Sequence, residues 1–284
     1  MTLRVTFDTN VLDLACRPER FPKDPRQPYL QIVREALSHK KILGFYSVTM
    51  LTIEGIMRKD RADVFESTQT YMQPETNSRT KNADLPKAIR SVTGVTDIET
   101  VTMNMVVQQP KRKPLHPEII ARAEAARALG VRVLKDAPRI GAYKIEDPDN
   151  GFYHANDRDQ SLEEWIRRIQ DVSSAIEDRG LGFAQIKALG LSMTTQDSAE
   201  VWFKALNNAQ DIHEERAIER AFSEWADGDA IASHVAYGLD VFCSADVGNS
   251  NGMSSILDSS NRQWLTEEYG VKFMSFDDLL AYLS

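Results

Sequence analysis

Four acidic side chains in this sequence stand where a metal-activated water could be made. Asp8 ends the alternating run Leu3, Val5 and Phe7 against Arg4 and Thr6, which reads as a short strand. Glu54 follows a second apolar run, Ile42 to Tyr46, in a helix that Ser47 or Thr49 would cap, beside the stripe Met50, Ile53 and Met57. Asp229 comes just before Ile231, Ala232, Val235 and Ala236, a helical spacing closed by Gly238. Asp246 lies just past the buried run Val241, Phe242 and Cys243. Asp227 could substitute for Asp229; the place of Asp229 at the helix start favours it and leaves Asp227 a capping or supporting role. Carboxylates gathered at one edge of a sheet repel one another and raise each other's pKa. A hard divalent cation, Mg2+ or Mn2+, relieves that repulsion through oxygen ligands and retained waters. Bound there, it acidifies an attacking water and neutralises the leaving oxygen in hydrolysis at phosphorus.

The elements that must position these acids follow a strand–helix–strand–helix order, which predicts a parallel sheet with crossovers and hence an α/β fold. In open α/β sheets the carboxyl ends of strands and the following helix starts form the ligand crevice. Tyr29, Ile32, Val33, Ala36 and Leu37 predict an amphipathic helix after a Pro-rich loop. From about residue 60 the pattern loosens. Val101 to Val107 and Val131 to Leu134 read as strands, 118–129 as an Ala-rich helix, and Leu162 to Ile176 as a strong helix. No period is visible over 180–195, and helical patterns return at 197–207 and 211–225. A helix at 259–268, a strand at 271–274 and a helix capped by Ser275 close the chain.

Length and composition bound the answer. A chain of 284 residues, 42% hydrophobic and 27% charged, is ordinary for a globular protein. A net charge of −8 disfavours a protein that coats nucleic acid through overall charge. Residues 105–139 reverse the sign locally, with eight basic residues against three acidic ones. Lys111, Arg112 and Lys113 are the candidate substrate contacts within that stretch. No apolar run approaches a membrane span, and the first residues lack a secretory pattern. Two isolated cysteines and the absence of a signal predict a cytoplasmic protein with no membrane partner. The five histidines have no metal-ligand spacing, and neither a P-loop nor a nucleophile elbow is present.

The run Val5-Thr6-Phe7-Asp8-Thr9-Asn10-Val11-Leu12 resembles the opening of PIN-domain ribonucleases, and Asp229-Ala230-Ile231-Ala232 with Cys243-Ser244-Ala245-Asp246 resembles their second half. The resemblance covers residues 1–66 and 211–284. It implies a three-layer α/β/α sandwich on a parallel sheet. The middle of the chain departs from the family, whose compact members have no room for it, and residues 67–210 are expected to form an inserted, mostly helical subdomain. It implies Mg2+- or Mn2+-dependent endonuclease action on RNA, with Asp8, Glu54, Asp229 and Asp246 holding metal or its water. Asn10 and Ser244 would hydrogen-bond behind these acids. A homo-oligomer and a protein regulator are further partner candidates. Two alternatives stand beside this reading. One is a non-catalytic PIN-like scaffold for RNA or protein. The other is a phosphatase of the haloacid-dehalogenase type, which needs a second acid where Asn10 stands.

Overall fold

Val5, Thr6 and Phe7 are the most deeply buried consecutive residues of the first strand, and a strand buried on both faces belongs in the middle of a sheet. A computed structural model describes residues 2–55, 70–81, 97–107, 115–135, 153–154, 161–194, 202–248 and 254–284. Its strands are β1 (Leu3–Phe7), β2 (Ile42–Ser47), β3 (Thr70–Lys81), β4 (Asp97–Val107), β5 (Arg132–Leu134), β6 (Val241–Cys243) and β7 (Phe273–Met274). Its helices are α1 (Thr9–Cys16), α2 (Gln27–Ser38), α3 (Thr49–Thr52), α4 (Pro117–Ala128) and α5 (Leu162–Asp178). They continue with α6 (Phe183–Met193), α7 (Trp202–Ala205), α8 (Ile212–Tyr237), α9 (Ser259–Tyr269) and α10 (Phe276–Leu283).

Five strands form one sheet in the order β5-β2-β1-β6-β7, every pair parallel. The protein is therefore of the α/β class, as the strand–helix order predicts. Helices cover both faces. Val5, Phe7, Ile42, Tyr46, Val133 and Cys243 pack against residues of α1, α2, α4 and α10, among them Leu12, Val33, Ala126 and Leu279. Phe45, Leu134 and Phe242 point the other way, into Trp165, Ile169, Ile231, Val235 and Leu265 of α5, α8 and α9. Each such side chain contributes on the order of 1.5–3 kcal/mol of burial, so the period-2 alternation of the strands sets which helix lies on which face. Among the described residues no helix is long and apolar enough to cross a membrane.

The chain divides into two units, Met1–Ala62 with Arg112–Ser284, and Asp63–Lys111. This grouping differs from boundaries at 67 and 210. Strand β5 falls within the expected insertion, yet it is the edge of the parallel sheet, paired with β2 through Phe45↔Arg132 and Ser47↔Leu134. Helices α4 to α7 belong to the same unit as that sheet. The smaller unit contains β3 and β4, which pair antiparallel from Thr70↔Val107 to Lys81↔Asp97. Its register shifts at Pro74, a residue with no N–H to give a ladder. Strand β3 went unread because its polar residues carry no period-2 apolar signal.

Two helices also differ from expectation. Helix α8 is continuous through Gly228, 26 residues capped by Asp211, where a fresh helix start at Asp229 was expected. Glycine here does not break the helix. Gly228 lies where α8 meets the start of α6: a Cβ on it would stand 3.4 Å from the Cα of Gly182 and 3.5 Å from Ile176 Cγ2, ordinary contact distances. Helix α6 itself, over the stretch without a visible period, buries Ile186 and Gly190 rather than a full stripe; Gly190 lies against Trp202 of α7, and the Phe183 ring meets Trp225 of α8 edge-on at 5.1 Å.

The polar residue of β1 is satisfied across the sheet face. Thr6 Oγ1 lies 2.7 Å from Nδ1 of the buried His234, whose ring meets Phe242 edge-on. Burial pushes the imidazole pKa down to about 3. The neutral ring therefore favours the folded state fully above the unfolded value near pH 6.5, and that contribution is lost as pH falls from there towards 3. The expected outcome is that the His234 ring resonances do not titrate between pH 8 and pH 5 in an NMR titration of the folded protein. A midpoint near 6.5 would contradict the buried environment.

Candidate functional site

The site begins with a register. Phe7 lies opposite Cys243 in the parallel β1–β6 pair, so Asp8 and Ser244 leave adjacent strand ends side by side. The Asp8 N–H donates to the Cys243 carbonyl at 2.9 Å. Asp8 is also the N-cap of α1 and accepts from the Thr9 N–H at 2.7 Å, from Asn10 Nδ2 at 2.9 Å and from Ser244 Oγ at 2.5 Å. A carboxylate at a helix N-terminus is favoured by the exposed N–H groups there. Asn10 Oδ1 in turn accepts from the Ala245 N–H at 3.0 Å, which clamps the start of α1 to the end of β6.

Two further acids are tied to this pair. Thr9 Oγ1 donates to Glu54 Oε2 at 2.6 Å, so the bend after α3 is held against the first turn of α1. Helix α3 ends at Thr52, and Glu54 lies just beyond it rather than in a second helical turn. Thr9 went unremarked although it sits inside the Asp-Thr-Asn run; a hydroxyl between two polar residues at a strand end was the available signal. Asp246 is exposed. Its N–H donates to Ser244 Oγ at 3.0 Å and its Oδ1 accepts from the Gly248 N–H at 2.8 Å. The Ser244 hydroxyl thus serves both Asp8 and Asp246. Gly248 has φ +69, and a Cβ on it would fall 2.4 Å from the backbone of Asp258, so only glycine suits this turn.

Of the two aspartates on α8, Asp227 is the one on which the charges of Asp8, Glu54 and Asp246 act. Two residues apart on one continuous helix, their side chains leave about 200° apart, so the two cannot share a face. Asp229 is buried and accepts from Trp225 Nε1 at 2.8 Å, one turn earlier. Asp227 instead faces the site. Burial, followed by the charges of Asp8, Glu54, Glu224 and Asp246, holds its carboxyl well above the usual range. No hydrogen bond stands among these causes. The choice of Asp229 rested on a helix start at that point, and α8 starts instead at Asp211.

Asp8 is raised as well, by burial and then by Asp246, against the lowering effect of the Ser244, Thr9 and Asn10 hydrogen bonds. Glu224 is a further acid that the sequence reading missed. It lies three residues before Asp227 and so on the same helix face. Burial raises its pKa, with Asp246 and Asp258 adding to the rise, while the Ile256 N–H donates to it at 2.9 Å. The i, i+3 spacing of Glu224 and Asp227 was the signal that could have found it. All of these residues belong to the larger unit. Lys111, Arg112 and Lys113 lie outside the described residues.

Oxygen donors that repel one another suit a hard cation, and the donor set of Asp8, Glu54, Asp227 and Asp246 fits Mg2+ or Mn2+ in its chemistry. Among the described residues no three His, Cys, Asp or Glu side chains stand close enough to hold one ion directly. Mg2+ commonly keeps several waters and binds through one or two carboxylates, so direct bonds from three are not a requirement. Comparison of the chain with protein-family models, with curated proteins and with solved structures finds no match.

The two aspartates of α8 should separate in thermal melts with chelator present. An ionised Asp227 opposes folding, and that penalty vanishes below about pH 4, where the carboxyl is protonated in both states. Asp227→Asn is therefore expected to raise stability at pH 7 by ~1 kcal/mol, on the order of 2 °C in Tm, with the gain shrinking as pH falls to about 4. Asp229→Ala removes the acceptor of Trp225 Nε1 and is expected to cost roughly 1–3 kcal/mol. The same sign of change in both variants at pH 7 would overturn the assignment of faces.

Proposed function

We propose that this protein is a metal-dependent endoribonuclease of the PIN type, hydrolysing RNA phosphodiester bonds at the carboxyl ends of β1 and β6. One observation carries the reading: Asp227 is held against the charges of Asp8, Glu54 and Asp246, an arrangement that costs stability unless a cation neutralises it. The parallel sheet with helices on both faces accords with the three-layer core that the resemblance implies. Asp8, Glu54, Asp227 and Asp246 would hold Mg2+ or Mn2+, with Asp227 taking the part first given to Asp229. When bound, such an ion supplies an acidified water and neutralises the leaving oxygen.

The remaining roles belong to the chain's own residues. Ser244 and Asn10 fix the Asp8 carboxylate, and Thr9 fixes Glu54. These bonds direct oxygen lone pairs without adding positive charge, so the cluster keeps its affinity for a cation. The RNA partner rests on the resemblance and on the basic stretch that includes Lys111, Arg112 and Lys113.

The test is cleavage of a mixed RNA substrate with Mn2+ or Mg2+, and again with chelator. Activity is expected to vanish with chelator and to fall about 100-fold or more in Asp8→Asn and in Asp227→Asn. Equal cleavage by wild type and Asp8→Asn would sink the assignment. A second reading, a non-catalytic scaffold that binds RNA or protein, is favoured by the absence of three described acids around a common point. Mn2+ in large excess should raise the melting temperature of an enzyme of this kind, by about 2.7 kcal/mol of stability at 100 times Kd. An unmoved Tm favours the scaffold.

A further inference from the structure

Arg262 lies in the first turn of α9 and reaches back towards the acid site. Its Nε donates to the Leu257 carbonyl at 2.7 Å, and its Nη2 donates to the Asp246 carbonyl. The guanidinium also lies over the Phe273 ring of β7, 4.8 Å from the centroid. One side chain thus joins the turn after β6, the turn before α9 and an edge strand of the sheet. The same two turns are pressed together a second time, where Gly248 meets the backbone of Asp258. Arg262 is only partly exposed, and the charges of both Asp246 and Asp8 act on it.

From these contacts we propose that Arg262 is a positioning residue of the acid site, fixing the exposed Asp246 by bolting the Ser244–Gly248 turn to the turn at Leu257. It does this from the far side of the turn, through a backbone carbonyl, and is not a ligand. The inference rests on the reading of the acids as a cation site. Guanidinium is suited to the task because its planar fork can serve two carbonyls at once while stacking on a ring, which an ammonium cannot do.

The sign of one measurement separates this role from a purely electrostatic one. A cation beside an acid cluster competes with a metal ion, so if Arg262 were only a counter-charge, Arg262→Gln would tighten Mn2+ binding. If it holds Asp246 in place, the same change loosens binding. Arg262→Gln is expected to weaken Mn2+ affinity, read by titration calorimetry, about 10-fold or more, with Arg262→Lys intermediate. In metal-free protein, exchange of the Asp246 and Gly248 amides is expected to speed up in the same order, about 10-fold in Arg262→Gln. Unchanged exchange, or Mn2+ affinity equal to or above that of wild type, overturns the proposal. If wild type itself takes up no Mn2+, the cation-site reading falls, and the exchange rates alone decide whether Arg262 holds the turn.

Discussion

The parallel pairing of β1 with β6 is the constraint on which the rest of the site depends. Phe7 opposite Cys243 places Asp8 beside Ser244, and every further acid is attached to that pair by a short polar contact or by charge. The pairing is also where the sheet changes direction: the chain lays β2 and β5 on one side of β1, then returns to lay β6 and β7 on the other. Elements leaving β1 and β6 therefore diverge to opposite faces, and the crevice between them is the usual ligand site of an open α/β sheet. A slip of one residue in this register would turn Phe7 or Cys243 away from its core and part Asp8 from Ser244. Packing of two apolar side chains and geometry of two polar ones are thus specified together.

Much of this was legible in the sequence. The alternation ending at Asp8 and the apolar run ending before Ser244 locate the strand ends, since a strand's burial pattern is written directly in its residues. Ser275 and Asp278 form the capping box their spacing announces. What was not legible follows from competition between local and tertiary effects. A helix start at Asp229 was the local expectation, yet one helix runs from Ile212 through Gly228 to Tyr237, so Asp227 and Asp229 lie on different faces of it. Strand β5 is three residues long, and nothing local says that it joins β2 rather than a separate subdomain. Glu224 was hidden for a related reason: its spacing to Asp227 matters only once the helix is known to run through both.

The electrostatic design differs from that of an ordinary ion-paired core. Asp13 and Arg17, on the opposite end of α1 from Asp8, are buried together and bonded twice, at 2.8 and 2.7 Å, with Arg122 of α4 2.9 Å from the same carboxylate. There each buried charge has its partner, which is the condition for tolerating it. At the other end of the same helix, the hydrogen-bond donors to Asp8 among the described residues are all neutral: the Thr9 N–H, Asn10 and Ser244. One short helix thus carries both arrangements, a carboxylate with direct cationic partners at Asp13 and one held by neutral donors at Asp8.

The long separation of β1 and β6 along the chain has a consequence for how the protein is made. Their partnership must close a loop of more than two hundred residues, whose entropic cost is met only after the intervening helices have packed. During synthesis from the amino terminus, Asp8 and Glu54 emerge long before Asp227 and Asp246. The carboxylates that repel one another in the folded protein are thus drawn from the two ends of the chain, and the β1–β6 pairing is the contact that brings Asp8 to the Ser244–Asp246 turn.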